Sequence, residues 1–319
     1  MNADCSKALL AAAAMHHHYP IPRTIVTVAL VAVASGVHVV RGDEADRSEK
    51  IRQTKRAVMR SFAESLEVLE RTADGDRPSQ RVEDCVLYFT DPVYHPEIGE
   101  GSTWIWHDQQ RPVIIAQIYH WTPREQWVMG LYTFSNHRVV ITDGEEIRRE
   151  YRPTDFEPLP IPGAPPPADK RAVRRLQMKR LATRFSATEQ RPARKDPDRP
   201  IRPLRLLTKP IHEYSHESSS VVDGAVFAFV HGTNAQIVML LEARRKPDDG
   251  LGWYAGFGRL SDGDNLVRFD KREFWKELAP PRPLPHDFPS NYISKIIPWD
   301  ADGDSAAAAQ LGETPDAEP

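Results

Sequence analysis

Gly101-Ser-Thr-Trp-Ile-Trp106 is followed 123 residues later by Gly224-Ala-Val-Phe-Ala-Phe229, and this pair of strings decides the fold predicted for the chain. Each string has a glycine and then two large aromatic residues at alternate positions, which share one face of a β-strand. A second pair, Phe89-Thr-Asp-Pro-Val93 and Leu207-Thr-Lys-Pro-Ile211, precedes the first pair in the same order. The collinear order predicts an internal repeat, and such a repeat defines an architecture.

A helix is predicted ahead of each of these β-rich stretches. Lys55-Arg-Ala-Val58 recurs letter for letter as Lys170-Arg-Ala-Val173. Residues 48–72 place apolar side chains at helical spacing, with charged residues on the opposite side. Residues 168–186 are the matching helix of the second half.

After each predicted helix come short runs rich in β-branched and aromatic residues, separated by Pro, Gly, Asn and Asp. The strands predicted in this way span residues 86–90, 102–107, 113–121, 126–134, 139–142, 204–207, 225–230, 236–243, 253–259 and 266–269. The fold class predicted is therefore α+β: two tandem repeated modules, each a helix followed by an antiparallel β-meander with one face covered by that helix.

The length of 319 residues allows two domains of ordinary size, and clustered prolines mark the boundaries. The predicted organisation is a signal peptide or N-terminal anchor (1–42), a first α+β module (48–152), a Pro-rich linker (153–167), a second α+β module (168–278) and a disordered Pro-rich and acidic tail (279–319). The linker is expected to be stiff and extended because of its prolines.

An apolar segment near the N-terminus indicates export. Thr24–Val40 is apolar, lies between Arg23 and Arg41, and has small residues near its end, as a secretory signal peptide does. Cleavage after Gly36 or Gly42 leaves an exported protein, periplasmic or extracellular, with no stable membrane insertion. The alternative is an uncleaved anchor, since the segment reaches the lower limit of about 17 residues for spanning a bilayer.

The composition argues against several classes of protein. A formal net charge of −3 gives no reason to expect nucleic acid as a partner. The two cysteines, Cys5 and Cys85, cannot build a disulfide scaffold. The sequence also lacks Gly-x-Ser-x-Gly, Ser-x-x-Lys and a Gly-rich phosphate-binding loop, so no catalytic residue and no cofactor are assigned.

His212-Glu-Tyr-Ser-His216 is an H-E-x-x-H string. On a helix this spacing lets both histidines bind zinc while the glutamate polarises a water, which defines the alternative function, a metal-dependent hydrolase with His212 and His216 as metal ligands. The context argues against a helix, because Pro210 precedes the string and the repeat aligns it with the extended residues 93–97. On a strand the two histidines lie about 13 Å apart, too far for one metal ion.

Two groups of residues are candidates for binding. The second predicted helix is strongly basic, includes Arg174 and Arg175, and suits an anionic partner such as an envelope polymer, a phospholipid surface or an acidic protein; a solvated helix face is the alternative. A position that is polar in only one copy of the repeat is freer to carry function, and this favours His107, His120 and Trp121 in the first module. The aromatic residues kept in both copies are expected in the core.

Three strings resemble a family of uncharacterised exported proteins of planctomycete-type bacteria: Leu159–Ala168, Pro203–Ile211 and Asp223–Thr233. The resemblance covers residues 48–278 and implies export, but it brings no known activity and no catalytic residue. The function predicted is accordingly that of an exported, non-enzymatic binding or scaffold protein of the cell envelope. Its partner is an unknown envelope component or protein.

Overall fold

A computed structural model describes residues 46–92, 96, 98–124, 126–144, 146–151, 156–191, 198, 200–215, 220–247, 250–279 and 292–297. The chain divides into two compact units, residues 1–51 and 52–319. Of the first unit the structure describes residues 46–51, which are helical. The sheets and hydrophobic cores all lie within the second unit.

The described residues form two α-helices, a short 3-10 turn and 19 strands. Helix α1 spans residues 46–65 and α2 spans Arg171–Ala182, while the 3-10 turn is Thr122–Arg124. The strands are β1 (Leu66–Thr72), β2 (Gly75–Pro78), β3 (Gln80–Arg81), β4 (Leu87–Phe89), β5 (Ile98–Asp108), β6 (Arg111–Trp121), β7 (Gln126–Thr133), β8 (Arg138–Asp143), β9 (Glu146–Tyr151), β10 (Leu159–Pro160), β11 (Phe185–Gln190), β12 (Ile201–Leu206), β13 (His212–Ser215), β14 (Val221–His231), β15 (Asn234–Arg245), β16 (Leu251–Arg259), β17 (Asp264–Phe269), β18 (Arg272–Glu277) and β19 (Tyr292–Ile297).

The predicted fold class, a tandem α+β repeat of helix-plus-meander modules, is wrong. The protein is mostly antiparallel β-sheet, 56% strand and 17% helix, with a curled half-barrel sheet. A strand lies at each of the ten predicted positions. Runs rich in β-branched and aromatic residues favour strands, and each of these runs pairs with another strand of its sheet. The prediction missed the other nine strands and the way in which the sheets cover one another.

The strands are arranged in three sheets. One sheet has the order β2-β1-β8-β9. A second has the order β19-β7-β6-β5-β3, with β4 also on β5, and a third has the order β10-β16-β15-β14-β12-β11-β17-β18, with β13 also on β14. The long hairpins β5–β6 and β14–β15 form the centres of the second and third sheets.

The central strands are buried on both faces, which explains the wrong fold class. On one face, the second sheet packs with α1 and the first sheet, and the central strands β14–β16 of the third sheet pack with α2 and with β11, β17 and β18 at the other end of the same sheet. On the other face, the two sheets pack against each other through a shared central core. This central core comprises Ile105, Ile115, Tyr132, Phe134, Phe156, Tyr214, Val221, Val226, Ala228, Val230, Ala235, Val238, Leu240 and Leu260. A meander with one covered face would instead leave these residues in water.

Both predicted helices end earlier than expected. Leu66–Thr72, the last part of the first predicted helix, is strand β1, in which buried residues alternate with exposed ones. Phe185, near the end of the second predicted helix, begins β11 and pairs with Phe269. Alternating apolar residues beyond Ser65 fit both a helix and a strand, and pairing of β1 with β8 selects the strand.

Four further expectations concern the aromatic core, the linker, the C-terminal tail and the N-terminal segment. The aromatic residues expected in the core are buried: Trp104, Trp106, Trp127, Phe227, Phe229 and Trp253. In the predicted linker, Leu159 and Pro160 pair with β16 as a short extended strand. Within the segment predicted to be disordered, Tyr292–Ile297 form β19 on the edge of β7. The predicted signal segment lies outside the described residues, among which no helix is long and apolar enough to cross a membrane.

Candidate functional site

A cleft of about 770 Å³ lies beside the turn that joins β5 to β6. Its walls come from the first sheet, the β5–β6 turn, the loop after β7, the segment after residue 155, β13 and β15. The lining residues are Glu70, Arg77, Asp108, Gln109, Arg111, Val113, Phe134, Ser135, Asn136, His137, Phe156, Glu157, Pro158, Tyr214, Ser220, Val221 and Arg244. The cleft therefore combines apolar side chains of the central core with charged side chains of both signs.

A buried carboxylate, Glu242, organises one wall of the cleft. Its side chain is fully buried, and its Oε1 atom accepts hydrogen bonds from Arg111 Nε at 2.9 Å and from the Tyr214 hydroxyl at 2.7 Å. Arg244 lies two residues along the same strand, with its Nε 3.8 Å from Glu242 Oε2. Within the described residues no hydrogen bond reaches Oε2. One buried negative charge thus faces two guanidinium groups.

Tyr214 is held over this carboxylate by a glycine. Gly224 is the direct partner of Tyr214 across the β13–β14 pair, and a Cβ atom on Gly224 would lie 2.4 Å from the tyrosine ring. Only glycine therefore leaves room for the ring to lie flat on β14. Burial and the neighbouring Glu242 carboxylate raise the pKa of the Tyr214 hydroxyl well above its ordinary value. The hydroxyl stays protonated and acts as a neutral donor.

The opposite wall carries a second carboxylate. Glu70 on β1 is 7% exposed, and its Oε1 accepts a short hydrogen bond from the Ser135 hydroxyl. Arg77 is its direct partner across the β1–β2 pair, so both side chains lie on the same face. The Ser135 hydroxyl in turn accepts a hydrogen bond from the His137 backbone N–H at 2.9 Å.

The turn at the mouth of the cleft has an unusual backbone. Gln109 and Gln110 have φ angles of 44° and 72°, a region that residues with a side chain adopt at a cost. The Gln110 carbonyl accepts a hydrogen bond from His212 Nε2 at 2.8 Å, and the Gln110 N–H donates to His107 Nδ1 at 3.2 Å. The two histidines thus hold the turn in place from both sides.

His107 and His212 are brought together by this contact. Their rings stack with centroids 6.0 Å apart. Burial lowers the pKa of both imidazoles, and His212 lowers the pKa of His107 further. Of the described residues predicted for binding or metal coordination, His107 and His212 lie nearest in sequence to the cleft lining. His107 directly precedes Asp108 and Gln109, and His212 lies two residues before Tyr214.

His120 and Trp121 lie at the far end of β6, away from the cleft lining. His120 is 2% exposed, with its Nδ1 3.3 Å from Lys55 Nζ and its ring 5.2 Å from the ring of Trp127. Trp121 is half-buried and pairs with Gln126 across β7.

Arg174 and Arg175 are engaged in ion pairs. Arg174 is 4% exposed, and its Nε lies 3.1 Å from Asp223 Oδ2. Arg174 Nη1 also donates to the carbonyl groups of Ala168 and Asp169, just before α2. Arg175 Nη2 lies 2.6 Å from Glu213 Oε2. Both arginines therefore attach α2 to the third sheet.

The H-E-x-x-H string does not lie on a helix where it is described. His212–Ser215 form β13, as the sequence context indicated, and His216 lies outside the described residues. Glu213 is paired with Arg175, and the described residues contain no group of three or more potential metal ligands. The spacing that a helical zinc site requires is therefore absent from the strand.

Sequence reasoning missed three residues that line the cleft, Arg111, Tyr214 and Arg244, and the buried Glu242 beside them. The strand β15 has the sequence Asn-Ala-Gln-Ile-Val-Met-Leu-Leu-Glu-Ala-Arg-Arg. An acid that follows five consecutive apolar residues in a strand, here Ile237–Leu241, is a signal for a buried, paired charge. That signal identifies Glu242 but not its partners, which lie on other strands.

The fold and the cleft together define an antiparallel β protein in which a charged cleft lies at the edge of two stacked sheets. Comparisons of the chain with family models, with curated proteins and with solved structures find no match.

Proposed function

We propose that this protein is an exported, non-enzymatic binding protein of the cell envelope that takes up a small molecule in the cleft beside the β5–β6 turn. The observation that carries the proposal is the cleft itself, with a volume of about 770 Å³. Small-molecule sites are commonly concave, with volumes of about 300–1,000 Å³, and combine apolar walls with a few convergent polar groups. The proposed export rests on the N-terminal apolar segment, Thr24–Val40.

The lining supports binding because its polar groups are held in place before a ligand arrives. Arg111 and Tyr214 are fixed by the buried carboxylate of Glu242, and Ser135 is fixed by Glu70. Groups that are already ordered lose little conformational entropy when they bind a ligand. The apolar residues Phe134 and Phe156, whose ring centroids are 5.3 Å apart, offer a surface for the rest of the molecule.

The experiment is to fill the cleft and to test whether binding is lost. Ser220 lines the cleft and is exposed, so a Ser220→Trp substitution puts a large ring into the cleft without replacing a core residue. Ser186 on β11 is also exposed but lies outside the cleft lining, which makes Ser186→Trp a matched control. The readout is the shift in melting temperature of the full chain across a library of small metabolites.

We expect at least one compound class to raise the melting temperature of the wild type and of Ser186→Trp, but not of Ser220→Trp. If the same compounds raise the melting temperature of Ser220→Trp to the same extent, binding occurs elsewhere. If no compound in a broad library has an effect, the proposed function is wrong.

A further inference from the structure

The donors of two arginines converge on the cleft without a matching set of acceptors. Arg111 uses its Nε for Glu242, and in the described part of the chain its two terminal nitrogens make no hydrogen bond. Arg244 makes no side-chain hydrogen bond to any described residue, because its Nε is 3.8 Å from Glu242 Oε2, beyond hydrogen-bond distance. Both side chains line the cleft, and each is about one quarter to one third exposed.

One wall of the cleft is positively charged, whereas the cleft as a whole has no positive excess, since three arginines face three lining carboxylates and Glu242. Glu242 supplies one negative charge between two guanidinium groups, and the neutral Tyr214 hydroxyl adds none. On the facing wall Glu70 has Arg77 as its cross-strand neighbour, so that pair is balanced. Asp108 and Glu157 also line the cleft and set a limit on how far the positive potential extends. The excess positive charge is therefore confined to the wall formed by Arg111 and Arg244.

Arg244 is held mainly by an aromatic ring and not by a close ion pair. Its guanidinium lies over the ring of Tyr254, 5.5 Å from the ring centroid. A contact with an aromatic ring stabilises the guanidinium without using its N–H donors for an acid. A planar guanidinium with unused donors binds carboxylate or phosphate oxygens in a two-pronged manner.

We propose that the ligand carries an anionic group, a carboxylate or a phosphate, which Arg244 and the terminal nitrogens of Arg111 bind together. The apolar side chains of Phe134, Phe156 and Val221 then contact the uncharged part of the ligand. This inference rests on the proposed function, because it concerns the same cleft. It makes Arg244 the residue that determines the ligand class, whereas Arg111 also serves the stability of the buried pair.

The experiment uses isothermal titration of the full chain with four probes at constant ionic strength. Inorganic phosphate and succinate represent the two anionic groups, while putrescine and 1,4-butanediol are cationic and neutral controls. Arg244→Gln removes the charge, and Arg245→Gln makes the same change at the next residue, whose side chain points to the other face of β15. Arg244→Lys keeps the charge without the planar group and serves as the test if Arg244→Gln does not fold.

We expect phosphate or succinate to bind and the two control probes not to bind. Arg244→Gln should weaken anion binding by about tenfold or more, the loss typical of one charge-assisted hydrogen bond. Arg244→Lys should give a smaller loss, and Arg245→Gln should leave the affinity within about twofold, as expected for a surface change outside the cleft lining. Preference for phosphate over succinate, or the reverse, identifies the anionic group.

Two outcomes would overturn the inference, and they differ from failure of the proposed function. Binding of putrescine or butanediol that Ser220→Trp blocks and Arg244→Gln leaves unchanged would keep the binding cleft but reject the anionic ligand. Anion binding that Arg244→Gln and Arg244→Lys leave unchanged would also reject it. Failure of Ser220→Trp to affect any ligand would instead reject the cleft as the binding site.

Discussion

The turns of the two long hairpins each contact a residue in or next to the opposite sheet, but the side chains beside the two turns differ in charge. The β5–β6 turn has Gln110 against His212, and the β14–β15 turn has Thr233 against Thr90. We call the first the cleft end and the second the closed end of the two stacked sheets. Each turn leads into a polar residue that bonds across to the other sheet.

At the cleft end this residue is Arg111, which pairs with the buried Glu242. At the closed end it is Asn234, whose side-chain oxygen accepts a hydrogen bond from Gln117 at 3.2 Å. Gln117 and Asn234 are neutral and almost fully buried, at 2% and 4% exposed. A neutral pair thus makes the cross-sheet contact at the closed end, whereas a charged pair makes it at the cleft end. This difference supports a binding role for the cleft end.

The largest effect is expected from breaking each cross-sheet contact. Arg111→Met should lower the free energy of unfolding by about 3 kcal/mol, because it removes the hydrogen-bonded ion-pair partner of the buried carboxylate of Glu242 and leaves only Tyr214 and the more distant Arg244 beside it. Gln117→Met at the closed end should lower it by about 1–2 kcal/mol, because only neutral hydrogen bonds are lost. Urea denaturation of the two variants measures both values. An equal or larger loss for Gln117→Met would remove the distinction between the two ends.

A smaller effect is expected from the glycine of the closed turn. Gly232 has a φ angle of 53°, and a Cβ atom there would lie 3.0 Å from the carbonyl oxygen of Thr90. Gly232→Ala should therefore lower the free energy of unfolding by about 1–2 kcal/mol. An unchanged urea midpoint would show that this turn tolerates a side chain.

The cleft turn should respond with the opposite sign. Gln110 has a side chain at a φ angle of 72°, so Gln110→Gly relieves backbone strain while adding entropy to the unfolded chain. We expect a net gain of about 0.5 kcal/mol, since the relief of about 1–2 kcal/mol exceeds the entropic cost. The hydrogen bonds of Gln110 use its backbone and survive the substitution. A loss of stability in urea would mean that the side chain itself contributes to the turn.

The smallest effect expected is a pH dependence confined to the cleft end. The pKa values of His107 and His212 in the folded protein lie below the ordinary histidine value of 6.5. The unfolded chain therefore binds more protons than the folded chain as the pH falls below about 6.5, and stability is lost in that range. Asp108 and Glu213 are the nearby acids that favour the charged imidazoles and oppose this loss.

Urea midpoints of the wild type between pH 7.5 and 5.5 measure this loss. A variant with both His107→Asn and His212→Asn should show a weaker fall in midpoint over the same range. Equal slopes for the two proteins would assign the pH dependence to other groups.

The sequence predicted ten of the 19 described strands and the buried aromatic residues because both depend on local patterns. Short runs rich in β-branched and aromatic residues, as in β5–β7 and β14–β16, indicate strands without knowledge of their partners. The prediction of a one-faced meander overlooked the continuous apolar runs, such as Ile237–Leu241, that are typical of strands buried on both faces, and it therefore missed the stacking of the two sheets. The wrong fold class follows from that omission.

One alignment error explains why Tyr214 was missed. Leu207 was matched to Phe89 on the basis of the Thr-x-Pro strings. In the structure Phe89 lies opposite Gly101, while the residue opposite Gly224 is Tyr214 rather than Leu207. The register between strands is set by the hydrophobic pattern and the turn geometry. The Thr-x-Pro strings therefore did not align Phe89 with Tyr214, the residues that occupy matching places in the two sheets. The cleft residues come from distant strands, and no local pattern connects them.

Amide hydrogen exchange of the full chain, with and without a saturating concentration of the tighter-binding anion, tests the central claim most directly. The account predicts that ligand slows exchange at the β5–β6 turn and in residues 134–137, and leaves Gly232 and Thr233 unchanged. Slower exchange at the β14–β15 turn, with no change at the β5–β6 turn, would contradict the assignment of binding to the cleft end.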